Sequence, residues 1–423
     1  MKRNRLSFAS SLAALVLSVG AAGCGGDDSS GAPSVDGGSA KDGQVSQDGG
    51  GTQDSGNRDA GLTDGSTVGD AADGATGTSF VASLSGAEET PAVATTATGA
   101  GTFTLSADKK TLTYHVTHNV AGATAAHIHL GDGGEAGAVV FPLTPFSADM
   151  TGTITLATAD AANLEQGKFY VNVHSPTHTG GEIRGQMLHP GDKLYVATLT
   201  GAQETPPVTS AGTGTSAVIV DAAGANIRYH VKVTGITPTA AHIHNGLGGI
   251  AGPVVHPLTP VATTIDGTVA ALATDAADLA DGHFYVNVHT TLNAGGEIRG
   301  QLMVAGETLY TAIMSPANEV PPVVGSTAEG GAQFILNYAK SSIRYEAAFK
   351  NLVATAAHIH TGAVGINGNV LYPLTLDAAK KGAKGTQAVV AADVTALDAS
   401  GLYANAHSTV NTGGEIRGQI TKQ

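Results

Sequence analysis

From Ser79 onward the chain alternates apolar and polar residues in short runs, with Gly, Pro, Asp and Ser between the runs. A period of two marks a strand with one buried face. In the first such stretch the pattern predicts strands at Ser79–Ser85, Gly101–Ser106, Thr111–Thr117, Ala126–Leu130, Thr151–Leu156, Phe169–His174 and Glu182–Leu188. Only Thr158–Gln166 reads as helical, with an equally short counterpart at Asp275–Ala280. Parallel strands need longer crossover helices than these. The prediction is therefore an antiparallel β-sandwich, immunoglobulin-like or Greek-key.

This pattern is written three times. His-Ile-His follows Ala-Ala at 127–129, 242–244 and 358–360, and Gly-Gly-Glu-Ile-Arg-Gly-Gln recurs at 180–186, 295–301 and 413–419. Glu89-Thr90-Pro91, Glu204-Thr205-Pro206-Pro207 and Glu319-Val320-Pro321-Pro322 stand near the start of the three copies. The steps of 115 to 118 residues are far longer than a solenoid repeat, so each copy carries its own core. Three tandem all-β domains are expected, at 78–191, 192–306 and 307–423. Because Pro cannot donate to a ladder, the Glu-x-Pro element is expected to end or kink an edge strand.

What precedes the repeats has a different composition. Lys2, Arg3 and Arg5 lead an apolar run from Leu6 to Ala22 that ends in Gly23-Cys24. Charged, apolar, then small is the order of a secretory signal, here residues 1–24. A Cys directly after small residues resembles the lipobox of bacterial lipoproteins. That resemblance implies lipidation of Cys24, export, and attachment to a membrane at the bacterial outer membrane or cell surface. Residues 25–77 hold 15 Gly and ten Asp against Lys41 and Arg58, a local charge of −8, with almost no large apolar side chain. Such a segment buries too little surface to offset its ordering entropy, and it is expected to be a disordered tether.

Charge and cysteine content remove whole classes of function. With 35 acidic against 21 basic residues the chain lacks the cationic face that neutralises phosphates, so no nucleic-acid partner is expected. Its single Cys excludes an intrachain disulfide framework and any Cys-rich metal site. No nucleophile elbow, P-loop, dinucleotide fingerprint or HExxH is present.

The histidines carry the remaining chemistry. Residues two apart on a strand share a face, so His127 and His129 point together while Ile128 turns to the core. By the same alternation His174 sides with Tyr170 and Asn172. The interval from the second His of the pair to this third one is 45, 45 and 47 residues in the three copies, as a shared site requires. Candidate ligands are thus His127, His129 and His174; His242, His244 and His289; His358, His360 and His407. Neutral imidazole suits copper, zinc or nickel, and without carboxylate ligands Cu(II) is favoured. The alternative is a structural polar cluster in which the rings bond to Asn172, Glu182 or a loop carbonyl. Glu182 and Arg184 are expected on one face of the last strand, as an ion pair or with Arg184, Arg299 and Arg417 guiding an anion. His115 and His230 align with Glu346, and His118, His178, His189 and His283 occur in one copy each. These are assigned to surface or loops.

Ala-His-Ile-His, then Tyr-Val-Asn-Val-His, then Gly-Gly-Glu-Ile-Arg-Gly-Gln, preceded by Glu-x-x-Pro, resembles the CHRD domain named after chordin. The resemblance covers nearly everything after residue 77 and implies extracellular immunoglobulin-like sandwiches without an agreed biochemical activity. Chordin's antagonism of growth factors resides in cysteine-rich modules that are absent here. The order of His127, His129, His174 and Arg184 is also similar to copper/zinc superoxide dismutase, which implies copper ligands and an anion-guiding arginine. The metal-bridging histidine of that family has only His256 as a match, aligned with Phe141 and Tyr372, and the cysteine pair and zinc loop are missing. The sequence therefore reads as an exported binding or structural module for an extracellular or envelope ligand it does not identify. Its rival is a copper protein with dismutase-like activity.

Overall fold

The computed structural model describes residues 77–423, so the signal segment, Cys24 and the acidic segment up to Thr76 lie outside the described residues. The first repeat runs β1 (Thr78–Ser85), β2 (Thr98–Leu105), β3 (Thr111–His118), β4 (Ala125–Leu130), β5 (Ala138–Pro142), β6 (Asp149–Thr155), α1 (Thr158–Glu165), β7 (Phe169–His174) and β8 (Ile183–Gln186). All pairings are antiparallel, in the order β5-β4-β7-β8-β1-β2-β3-β6. Strands β8 and β1 pair at Ser85 and Arg184 alone. The sheet folds over at that seam into two layers, one of β1, β2, β3 and β6, the other of β4, β5, β7 and β8. The second repeat has the same order. In the third the layers are separate sheets of five and four strands, because Thr421–Lys422 adds to the edge of Thr308–Met314.

Alternation decides which side chains fill the space between layers. Phe80, Phe103, Leu112, Ile128, Phe169 and Val171 are all essentially inaccessible, and their neighbours in sequence point outward. Burying each such side chain is worth about 1.5–3 kcal/mol. Helix α1 adds Ala161 and Leu164 to this core, and Gly167 at φ +74° ends it in the left-handed cap that glycine accepts without strain. One strand escaped the sequence pattern. Strand β5 is a five-residue edge strand with no buried position, and its pairing with β4 slips between Ile128 and His129. An edge strand whose outer side faces solvent carries little alternation to read.

The repeats dock in series. The loop after β4 and the end of α1 in one repeat lie on the outer face of the first strands of the next. A Cβ added to Gly133 would come within 2.9 Å of the Leu194 methyls, and one on Gly167 within 2.8 Å of Ile219 Cδ1. At the second junction Gly248 meets Leu309 and Thr311, and Gly282 meets Ile335. Polar bonds flank both contacts. Lys168 reaches Asp266 at 2.9 Å, Thr215 donates to Glu135, Gly248 N donates to Gln333 at 2.8 Å, and His283 Nε2 lies 2.9 Å from Glu346. Tyr338 of the third repeat also donates to Val93 O of the first.

Two histidines assigned above to surface or loops belong to these junctions. His230 is 8% exposed and lies among Asp132, Glu135 and Asp266, with Nδ1 2.8 Å from Asp266. Burial lowers its pKa, but the three carboxylates outweigh burial and hold the ring above the usual histidine value. The hydrogen bond to Glu346 does the same for His283. Asp132, Glu135 and His230 are thus an ion-pair cluster, joined at its rim by Lys232.

Candidate metal centre

Strands β4 and β7 are neighbours, and their register sets His127 opposite Asn172, His129 opposite Tyr170 and Ala125 opposite His174. The three imidazoles therefore share the outer face, while Ile128 is fully buried on the other. Candidate ligand atoms of His127, His129 and His174 lie within 4.8 Å of one another. The same holds for His242, His244 and His289, and for His358, His360 and His407. Every histidine proposed from spacing is brought into one of three clusters.

Backbone carbonyls fix which nitrogens face inward. His129 Nδ1 is 3.0 Å from Gly137 O and His174 Nδ1 is 3.0 Å from Thr179 O. A carbonyl only accepts, so each Nδ1 carries the proton and each Nε2 presents a lone pair. His174 Nε2 lies 3.0 Å from His127 Nδ1. His129 Nε2 is buried with no partner, as are His244 Nε2 and His360 Nε2. The second and third repeats repeat the inner contact at 3.1 and 3.0 Å, and the carbonyl bonds at Gly252, Ala294, Gly368 and Thr412. Metal-binding imidazoles usually donate their outer nitrogen to such a carbonyl. Two nitrogens about 2.0–2.1 Å from one ion at a right angle are about 2.9 Å apart, close to the spacing found.

Charge state suits a ligand. Desolvation, then repulsion from the neighbouring rings, puts His127, His242 and His358 below the usual histidine pKa. Desolvation likewise lowers His129, His244 and His360, and the nearby arginine adds to it. The loop that holds His129 depends on one glycine. A Cβ on Gly137 would overlap Leu130 O, and Gly252 and Gly368 are equally confined.

Arg184 does something the alternation did not show. Its guanidinium lies 3.4 Å over the Tyr170 ring and donates to Asp132 O, Glu135 O and Gln186 Oε1. Arg299 on Tyr285 and Arg417 on Tyr403 repeat this at the same 3.4 Å. Each arginine is 2% exposed and pins the loop between the second and third histidine strands. The expected pair with Glu182 is absent among the described residues: β8 starts one residue later, and Glu182 accepts from Thr95. Nor does the match proposed for His256 hold. It pairs across from Ile243, on the face away from His242 and His244, and bonds Asp275 at 2.7 Å.

A buried acid was missed. Glu89, Glu204 and Glu319, read above only as neighbours of proline, lie against Asn172, Asn287 and Asn405. Burial pushes all three carboxyls up to about 7, with the arginine charge pulling the other way. Their recurrence in all three copies was the available signal.

Antiparallel sandwiches in series, each with an outward cluster of three neutral imidazoles, define a tandem extracellular-type β-sandwich module. The chain belongs to the CHRD family: the CHRD domain matches residues 80–187, 195–302 and 310–420. No curated protein matches it.

Proposed function

We propose that this is an exported, lipid-anchored envelope protein whose three CHRD domains form a binding module, each domain holding one Cu(II) ion through its three histidines. What supports this reading is the unpaired, buried Nε2 of His129, His244 and His360, each aimed at two further imidazoles whose outer nitrogens are committed to carbonyls. A buried lone pair without a donor is costly unless something fills it. The donor set is all nitrogen, which favours copper over calcium or magnesium. Since the arginines are occupied with loop carbonyls, the proposal stops at metal binding and assigns no dismutase role.

Copper-loaded, washed protein is expected to retain about three ions per chain, one per tri-histidine set. His127→Ala, His242→Ala and His358→Ala each remove one, and the triple variant retains none by elemental analysis. Fewer than about one ion in the unaltered chain rejects the reading, and full retention in the triple variant moves the metal elsewhere.

Export and anchoring rest on the order of residues 1–24. Cys24→Ser is expected to shift the protein from the membrane fraction to the soluble one. Unchanged membrane association in cell fractionation would rule out Cys24 as the anchor.

A further inference from the structure

The two internal junctions leave one half of the same contact open at each end of the array. At the first repeat the docking face is unpartnered: Ser79, Val81 and Thr104 are exposed on β1 and β2. At the third repeat the docking loop is unpartnered: Val364 is 77% and Ile366 60% exposed, and nothing approaches Gly365. The contact of Tyr338 with Val93 and Thr95 uses other surfaces and leaves both halves free.

The sizes of the open halves are matched to each other. In both closed junctions the loop offers glycine and the face offers a large aliphatic pair. Gly133 and Gly167 receive Leu194 and Ile219, which are cross-strand partners; Gly248 and Gly282 receive Leu309 and Ile335, partners in the same register. At the open ends both members change in opposite senses. The loop positions become Val364 and Ser400, and the face positions, paired in that same register, become Ser79 and Thr104. Solvent exposure alone accounts for a Ser/Thr face. It does not account for Val364 and Ile366 projecting where the internal loops carry Gly or lie buried against a neighbour. Bulk lost on the face reappears on the loop at two separate positions, which keeps the volume of the contact.

We infer that the occupant of each open half is a second copy of this chain, with the third-repeat loop of one copy docking on the β1–β2 face of the next. Such a head-to-tail contact is heterologous, so it propagates as a filament or closes as a ring. Both halves are uncharged at their centres, unlike the first internal junction with its Asp132, Glu135 and Lys232, so the contact has no ion pair for salt to screen.

The test is the mass of the full chain by sedimentation velocity over roughly a hundredfold range of concentration around micromolar Kd values. Mass rising beyond one chain is expected. Ser79→Leu restores the side chain found at Leu194, sets it against Val364 and weakens association roughly tenfold or more through overpacking. Adding Val364→Gly recreates the glycine–leucine pairing of the internal junctions and brings association back. Both positions are at the surface, and an unchanged circular dichroism spectrum certifies the fold of each variant. A single-chain mass at every concentration overturns the proposal. So does association that Ser79→Leu leaves unaltered, or that the double variant fails to regain.

Discussion

Arg299→Met lowers the unfolding free energy of the second domain by about 3–5 kcal/mol, the range for removing one partner from a buried ionic arrangement. Methionine occupies much of the arginine's volume, so cavity formation is a minor part of the loss. What disappears are bonds to Leu247 O, Ile250 O and Gln301 Oε1, with the stacking on Tyr285. Leaving buried carbonyls without donors costs roughly 1–3 kcal/mol each. Cation–π stacking adds up to about 2 kcal/mol when desolvated. Arg299→Lys keeps the charge but lacks the planar fork, so it recovers only part of the loss. Denaturant unfolding followed by circular dichroism measures both. A change below about 1 kcal/mol for Arg299→Met would mean that water replaces the guanidinium and the loop needs no anchor. The same loop carries Gly252, whose carbonyl orients His244, so copper retention by the second domain also falls.

This arginine shows where the sequence stopped being informative. Strands and the histidine set were legible because both are written in side chains: alternation marks the buried face, and an i, i+2 pair recurring at a constant distance from a third histidine marks a shared one. Arg184, by contrast, bonds to the carbonyls of Asp132 and Glu135, and a carbonyl has no residue type to betray it. The junctions were hidden for another reason. Asp132 and Glu135 in the first loop, Leu247 and Ile250 in the second, and Ala363 and Ile366 in the third look like drift until each is seen against its own surface. His230 and His283 then cease to be stray, since each meets carboxylates of a neighbouring repeat. Glu89 was masked by the proline two residues on, which offered a sufficient backbone explanation for the motif. Its burial depends on Asn172 and Gly181, which come together only when β7 and the turn before β8 close over it.

Glu204→Gln is expected to stabilise the protein above pH 7 and to leave it nearly unchanged near pH 5. The folded carboxyl is raised to about 7 from a model value of 4.5, chiefly by burial. Between those values the folded state keeps a proton that the unfolded state has released. Unfolding free energy therefore falls as pH rises through this window, by up to about 3 kcal/mol for each such glutamate once pH exceeds the folded pKa. Glutamine stays neutral and does not incur that loss. Its amide also supplies a donor beside Asn287 Oδ1, which has none, as Glu204 Oε1 has none. The histidines act with the opposite sign: burial lowers His242, His244 and His289, so their contribution is lost as pH falls through the ordinary histidine range. Subtracting the variant's profile from that of the unaltered protein, both metal-free, cancels the histidines and isolates the glutamate. Thermal or denaturant unfolding from pH 5 to pH 8 gives both curves. Parallel curves would mean that Glu204 is ionised throughout against Arg299, and that the carboxyl beside the histidine cluster carries a fixed charge.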